Sequence, residues 1–451
     1  MDARKPSYAG ALTVLRTLRA FGHDALLAGG CVRDRLRGVE PKDYDIATSA
    51  LPDQVQQAFP VTEPVGAAFG VVLVLHQGVP YEVATFRSDG PYLDGRHPSA
   101  VRFASPEEDA QRRDFTVNGL FYDPDSDEVL DFVGGQIDLR VGLLRAIGDP
   151  RRRFAEDRLR VLRCVRFACQ LGFTIDRETW AAAQEYSPAI AELAWERIAA
   201  ELTKTLQSRK PRKGLELLDE AGLLAALLPE LDALKGCPQP PEFHPEGNVW
   251  EHTLRVVQAV ADQGTPSKAL AWAGLLHDVA KPGTLTNTDR LRFHGHEAQG
   301  AAVAAAVLER MKLGREVTDA ACALVADHLR LDPIRQMRLS TLKRLLRRDD
   351  IEDLLALHKA DCLGSHGSLE LYDYARARQA EFAAADQAAG LRPEPLVDGA
   401  DLIAWGHVPG PRFKEMLNAV EDEQLEGRLA DKAAARDFIA RNYPVLEKDQ
   451  A

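Results

Sequence analysis

The chain has 451 residues, 45% of them hydrophobic, and a formal net charge of −12. That length exceeds what one compact core holds, so two to four domains are expected, and no apolar run approaches the ~20 residues that span a bilayer. The charge excludes a bulk attraction to nucleic acid, so any RNA contact must come from local patches, and neither DNA nor a membrane is an expected partner.

In chain order, residues 10–22 read as a helix, and residues 26–50 read LLAGGCVRDRLRGVEPKDYDIATSA. Here a Gly29-Gly30 turn and an Arg33-Asp34 pair precede Asp43 and Asp45. Two residues apart on an extended segment, both carboxylates leave one face. Paired hard oxygen ligands suit Mg²⁺, and the glycines let the backbone approach phosphates closely. A second helix is expected over residues 51–59. VVLVLH and YEVATFR then read as a β-hairpin joined through Gln77-Gly78-Val79-Pro80, and Glu82 on its second strand is a candidate third carboxylate. The Gly-rich, polar stretch 87–98 reads as a flexible loop. From Arg151 onward apolar spacing is helical almost throughout, with breakers at Pro211, at Pro238 to Pro241 and at Pro393 to Pro395. The N-terminal MDARKPSYAG lacks the apolar core of a signal peptide, and the six scattered cysteines form no CxxC, so a reduced, cytoplasmic protein is expected.

The combination of Gly29-Gly30, Arg33-Asp34 and Asp43-x-Asp45 resembles the GG…RD…DxD signature of the polymerase-beta nucleotidyltransferase superfamily. Within it, the chain resembles the class II tRNA nucleotidyltransferases (CCA-adding enzymes) and bacterial poly(A) polymerases. Arg112-Arg113-Asp114-Phe115-Thr116-Val117-Asn118-Gly119 is similar to the family's RRDFTxNA block, and the resemblance implies that Arg113, Asp114 and Asn118 contact ribose and triphosphate. By itself RRDF also fits a helix start capped by Asp114. Glu156-Asp157-Arg158-Leu159-Arg160 matches EDxxR. On a helix Asp157 and Arg160 share a face, where they form either a salt bridge or a base reader. Acceptor-only Asp beside donor-only Arg complements both cytosine and adenine and mismatches uracil and guanine. Trp195 to Leu202 resembles ERIxxEL, read as a structural brace. The 87–98 segment resembles the flexible loop of CCA- and A-adding enzymes, and PVGAAFGVVLVLHQ is of the tRNA-enzyme type.

Between Asp149 and Phe167 stand seven arginines against three acids, and Arg209, Lys210, Arg212 and Lys213 form a second basic cluster. In a chain with these motifs both are read as an RNA-backbone track in preference to solvated helix faces. Further on, His252, His277-Asp278, His296, His328 and Asp361 resemble, in this order, the HD superfamily of metal-dependent phosphohydrolases, with His294 an alternative to His296. Such a set suits Mn²⁺, Ni²⁺ or Co²⁺, as well as Zn²⁺ or Fe, with Asp278 bridging two ions. Gly406 to Lys414 resembles the tail of long CCA-adding enzymes.

The expected architecture is α+β, mostly α: a nucleotidyltransferase head over 1–140, a helical neck over 141–210, an HD-type body over 211–390 and a helical tail over 391–451. The resemblance implies template-independent addition of CCA to tRNA from CTP and ATP, with phosphohydrolase activity at the HD set. The alternatives are an A-adding enzyme, a poly(A) polymerase, or an HD phosphohydrolase with an RNA-binding head.

Overall fold

A computed structural model describes residues 5–63, 70–89, 101–242, 244–287, 290–389 and 394–445. Most of the loop expected at 87–98, the PVGAAF segment and Pro393 lie outside these residues. The fold is α+β and mostly helical, with its seven-stranded sheet confined to the first 131 residues and only two-residue strand pairs beyond it among the described residues. The strands are β1 (Ala25–Ala28), β2 (Asp45–Thr48), β3 (Thr62–Glu63), β4 (Val71–His76) and β5 (Val79–Thr85), with β8 (Leu120–Asp123) and β9 (Glu128–Asp131) completing the sheet. Their order is β3-β4-β5-β2-β1-β8-β9, while β6 (Arg87–Asp89) and β7 (Val101–Phe103) pair as a separate ribbon. Only β2 and β5 run parallel in the large sheet, with Ile46 opposite Val83. That register sets Asp45 and Glu82 side by side on neighbouring strands.

One sheet face is covered by the helix Tyr8–Ala20, capped by Ser7, whose hydroxyl accepts from the Gly10 amide. Its Ala11, Val14, Leu15 and Leu18, at helical spacing, pack on Leu27, Ile46, Val72, Val74 and Val83. The opposite face gathers Leu26, Ala28, Ala47, Phe86 and Phe121. Tyr44 and Ile46 point into the helix-covered core, so strand alternation turns Asp43 and Asp45 to the other face.

The hairpin turn is shorter than the sequence reading had it. Gln77 and Gly78 alone form it, with φ of +53° and +76°, and Val79 and Pro80 already belong to β5. Two consecutive positive φ values match the right-handed strand twist, as in a type I′ turn.

Two compact units divide the chain: residues 1–232 with 307–313, and 233–306 with 314–451. In the first, the sheet is followed by helices that include Pro150–Glu156, Leu159–Leu171 and Trp195–Leu206. In the second, the helix Lys268–Leu276 is buried from Ala269 onward, with Trp272 wholly inside. A helix apolar on every side is a core helix, and it delivers His277-Asp278 to the interior. Around it stand Val249–Asp262, Arg315–Asp327 and Ile351–Gly364. The last helices of the chain gather a small cluster of their own, built on Leu402, Met416, Val420 and Ile439. None of the six cysteines is in a disulfide. Among the described residues, no helix is long and apolar enough to cross a membrane.

Candidate functional sites

The first site is a cavity of about 650 Å³ beside the sheet face that carries Asp43 and Asp45. Gly29, Gly30, Arg33, Asp43, Asp45, Glu82, Arg113, Asp114, Asn118, Asp157 and Arg160 all line it, so four separate sequence blocks meet there. Burial and the neighbouring Glu82 push the Asp45 carboxyl up to about 6, against the pull of Arg113, and Asp43 adds to the rise. Three acids crowded in this way repel one another, and a divalent cation relieves that repulsion. The residues therefore fit a divalent cation, which Asp43 and Asp45 would hold with Glu82 beside them.

A continuous polar chain crosses the cavity wall. Arg33 donates to both oxygens of Asp34, at 2.9 Å each, and through Nη1 to Asn118 Oδ1 at 2.7 Å. Asn118 Nδ2 donates to Asp114 Oδ1 at 3.1 Å, and Arg163 grips Asp114 Oδ2 with two bonds of 2.8 and 2.6 Å. Burial opposes ionisation of Asp114, yet Arg163 and Asn118 hold it down to about 2. Asp34 is the one residue predicted for this site that is absent from the lining, and its contacts are those of a brace for Arg33. Arg113 is clamped by buried Asp109 at 3.0 and 3.1 Å, with Nη1 donating to the Asn118 carbonyl at 3.3 Å. Gly29, at φ +71°, leaves little room for a side chain here, because a Cβ would sit 2.8 Å from Arg113 Nη1 and force it to shift.

Two local expectations change. RRDF does not open an α-helix capped by Asp114: Arg112 ends the helix Pro106–Gln111, Asp114 accepts from the amide of Phe115 next to it, and only a single 3-10 turn, Thr116–Asn118, follows, with Phe115 at its cap position. Asp157 and Arg160 are not on one helical face. Asp157 is extended (φ −142°, ψ 103°) in a break between Pro150–Glu156 and Leu159–Leu171, where it accepts from the Leu159 amide at 3.1 Å. Its ionic partner is Arg197, at 3.0 Å. Arg160 donates to the carbonyls of Arg153 and Arg112 and to Glu156, which leaves two of its five donors for a ligand.

Arg163, Arg166, Arg197 and Lys204 also line the cavity and were absent from the sequence-derived site. Of the seven arginines read as a backbone track, Arg153, Arg160 and Arg166 are buried. Arg166 pairs with buried Glu201 at 2.5 Å and stacks 3.9 Å from the Phe167 ring centre. The ERIxxEL block thus supplies both Arg197 and Glu201. The only advance sign was an Arg and a Glu at helical spacing opposite an arginine-rich helix.

The second site lies under a cavity of about 570 Å³ in the second unit. Its six predicted ligands fall into two triads: His252, His277 and Asp361, and Asp278, His296 and His328. His252 Nε2 lies 3.2 Å from His277 Nε2 and 3.0 Å from Asp361 Oδ1, and His296 Nε2 lies 3.3 Å from His328 Nε2. Asp278 faces both triads, with Oδ2 3.2 Å from His277 and Oδ1 3.4 Å from His296. His296 joins the cluster, whereas His294 is exposed at the cavity lining.

At His277, His296 and His328, Nδ1 lies 2.7 to 3.0 Å from the carbonyl three residues earlier. A carbonyl only accepts, so these Nδ1 atoms carry the protons and each Nε2 presents a lone pair inward. For His252 the outer partner is Glu246 Oε1, 2.9 Å from Nδ1 and also 2.8 Å from His244 Nδ1. Inward lone pairs plus two carboxylates fit one or two divalent transition ions. Glu246, His244 and Lys281, whose Nζ is 2.7 Å from Asp278 Oδ2, were not predicted.

Comparison with known proteins gives three family matches: "Poly A polymerase head domain" over residues 25–145, "Probable RNA and SrmB- binding site of polymerase A" over 172–235, and "HD domain" over 249–364. The first and third imply dependence on divalent metal ions. A CCA-adding enzyme of Geobacillus sp. is 43% identical over 224 residues, 49% of this chain and 55% of that enzyme. Against several such relatives the chain thus aligns over only about half of their length. The CCA-adding enzyme of Bacillus cytotoxicus is 32% identical over 440 residues, 94% of this chain and 96% of that enzyme. Among solved structures, the Bacillus stearothermophilus CCA-adding enzyme in complex with CTP matches 97% of this chain and 98% of its own, with 29% identity and a TM-score of 0.72. The Thermotoga maritima CCA-adding enzyme complexed with tRNA shares the fold, at 17% identity and a TM-score of 0.56 over 98% of this chain and 96% of its own. Identity that runs nearly end to end, over a cavity that unites the GG, DxD, RRD and EDxxR blocks, places this chain in the family of CCA-adding enzymes.

Proposed function

We propose that the chain adds C, C and A to the 3′ end of tRNA, using CTP and then ATP without a nucleic-acid template. The observation that carries this reading is the convergence of four motif blocks on one cavity. Mg²⁺, held by Asp43 and Asp45 with Glu82 adjacent, would neutralise charge on the triphosphate and align it with the RNA 3′-hydroxyl. The hydroxyl oxygen bonds to the α-phosphorus as the bond to pyrophosphate breaks. Protein groups then act by position: Gly29 and Gly30 allow close approach of phosphate, Arg33 and Arg113 face its charge, and Asp114 and Asn118 orient the ribose. Asp157 and the two free donors of Arg160 read the amino and ring-nitrogen pattern shared by cytosine and adenine.

The second site is assigned to hydrolysis of phosphoesters at RNA ends: His252, His277, Asp278, His296, His328 and Asp361 would hold Mn²⁺, Ni²⁺ or Co²⁺, which would supply an activated water. The paired triads bridged by Asp278 support it. Six cysteines outside any disulfide support a reducing, cytoplasmic setting.

The test uses tRNA transcripts lacking three, two or one terminal nucleotides, each with Mg²⁺ and a single labelled NTP. Addition of two C and then one A completes the reading. A added only to the transcript that lacks one nucleotide would make the chain an A-adding enzyme, and long A tails would make it a poly(A) polymerase. Absence of any incorporation beside active hydrolysis would leave the second site as the principal activity.

A further inference from the structure

Arg197 opens the question of what holds the base-reading carboxylate still. Asp157 stands in a break between two helices, so no helical backbone fixes its side chain. Its acceptor sites are engaged by the Leu159 amide at 3.1 Å and by Arg197 Nη2, which bonds both oxygens at 3.0 and 3.3 Å. No side-chain contact joins Asp157 to Arg160, whose guanidinium donors go to the Arg153 and Arg112 carbonyls and to Glu156. The second terminal nitrogen of Arg197, Nη1, is buried with no hydrogen-bond partner, and Arg197 lines the same cavity as Asp157. A buried donor without a partner costs free energy, and an incoming acceptor can satisfy it.

We propose that Arg197 is a positioning and specificity-determining residue: it fixes which face of the Asp157 carboxylate meets the base, and so sets discrimination between CTP or ATP and UTP or GTP. This rests on the proposed nucleotidyl transfer. Without Arg197, the Asp157 side chain is released toward other cations of the cavity, Arg163 among them. Rotation of that carboxylate away from the base then admits bases that present an acceptor where cytosine presents its amino group. Lys at position 197 keeps the charge but lacks the planar guanidinium and its second terminal nitrogen, so it restores alignment only in part.

The experiment measures kcat and KM for CTP and UTP on a tRNA transcript that lacks its terminal CCA, for the full chain and for Arg197→Ala and Arg197→Lys. Thermal melting and metal-supported hydrolysis at the second site report the integrity of each variant. In Arg197→Ala the CTP-to-UTP ratio of kcat/KM should fall by about tenfold or more, with most of the loss in KM for CTP, and Arg197→Lys should recover part of it. A uniform loss with both nucleotides, at an unchanged ratio, would make Arg197 merely structural and overturn the proposal. An Arg197→Ala variant that does not fold leaves the question to Arg197→Lys, where an unchanged ratio refutes it equally. A wild-type chain that incorporates no CTP would overturn the nucleotidyl-transfer reading itself, and this proposal with it.

Discussion

Replacing Gly29 by Ala tests the cavity at its tightest backbone position. Gly29 has φ +71° and ψ −123°, a conformation that costs a side-chain-bearing residue about 1–3 kcal/mol. The added Cβ would stand 2.8 Å from Arg113 Nη1. That atom ends a flexible side chain and can move, but only by giving up its 3.3 Å bond to the Asn118 carbonyl, worth about 0.5–1.5 kcal/mol. The sum is about 2–4 kcal/mol, which in a unit of this size lowers the melting temperature by roughly 5–15 °C. Gly30→Ala is the internal comparison, since its Cβ meets nothing nearer than Arg33 Nη2 at 3.7 Å and its φ is not positive. Calorimetry of the full chain reads the stability. CTP incorporation kinetics read the displaced Arg113, and KM should rise in Gly29→Ala. A transition within about 2 °C of wild type together with an unchanged KM would refute the assignment of strain to this turn.

Asp45→Asn should reduce nucleotide incorporation by at least about a hundredfold while hydrolysis at the second site persists; retained incorporation measured with saturating Mg²⁺ would remove Asp45 from the metal set. Asp114, held down to about 2 and therefore depressed in the folded chain, contributes stability above its unfolded value near 4. The gap in unfolding free energy between wild type and Asp114→Asn, on the order of 2 kcal/mol at pH 6, should thus narrow as pH falls from 4 toward 2; denaturant titrations across that range would expose a constant gap. Glu246→Gln should weaken metal affinity at the second site by about tenfold to a hundredfold, read by competition with a chelating dye, with nucleotide incorporation unaffected.

Much of the fold was legible because its signals are local. Alternation in VVLVLH and YEVATF marks β4 and β5, and one polar-to-apolar period marks the first helix. The break at Asp157 was not legible, since PRRRFAE and LRVLRCVRF are both helix-forming and no Gly or Pro parts them. What interrupts the helix is tertiary: Arg197, forty positions away, and a side-chain bond to the Leu159 amide. Arginines 160, 163 and 166 looked like a surface track for the same reason. Asp114, the partner of half-buried Arg163, and Glu201, the partner of buried Arg166, are 49 and 35 residues distant, and Arg160 reaches the Arg112 carbonyl 48 positions back. The histidines of the second site could be counted in the sequence, but Glu246 sits in the loop ahead of the first of them, where a lone acid has no signature.

The orientation of those histidines carries a consequence for how the site tolerates change. Three of the four rings are aimed by main-chain carbonyls, those of Gly274, Phe293 and Val325, which every amino acid possesses. Sequence drift at these three positions cannot remove the oxygen that fixes each tautomer. His252 has no such insurance, because its outer nitrogen faces a side chain, Glu246. Fragility to random substitution is therefore concentrated at a single carboxylate outside the proposed ligand set, and variants with the six proposed ligands intact yet weakened metal binding should cluster there.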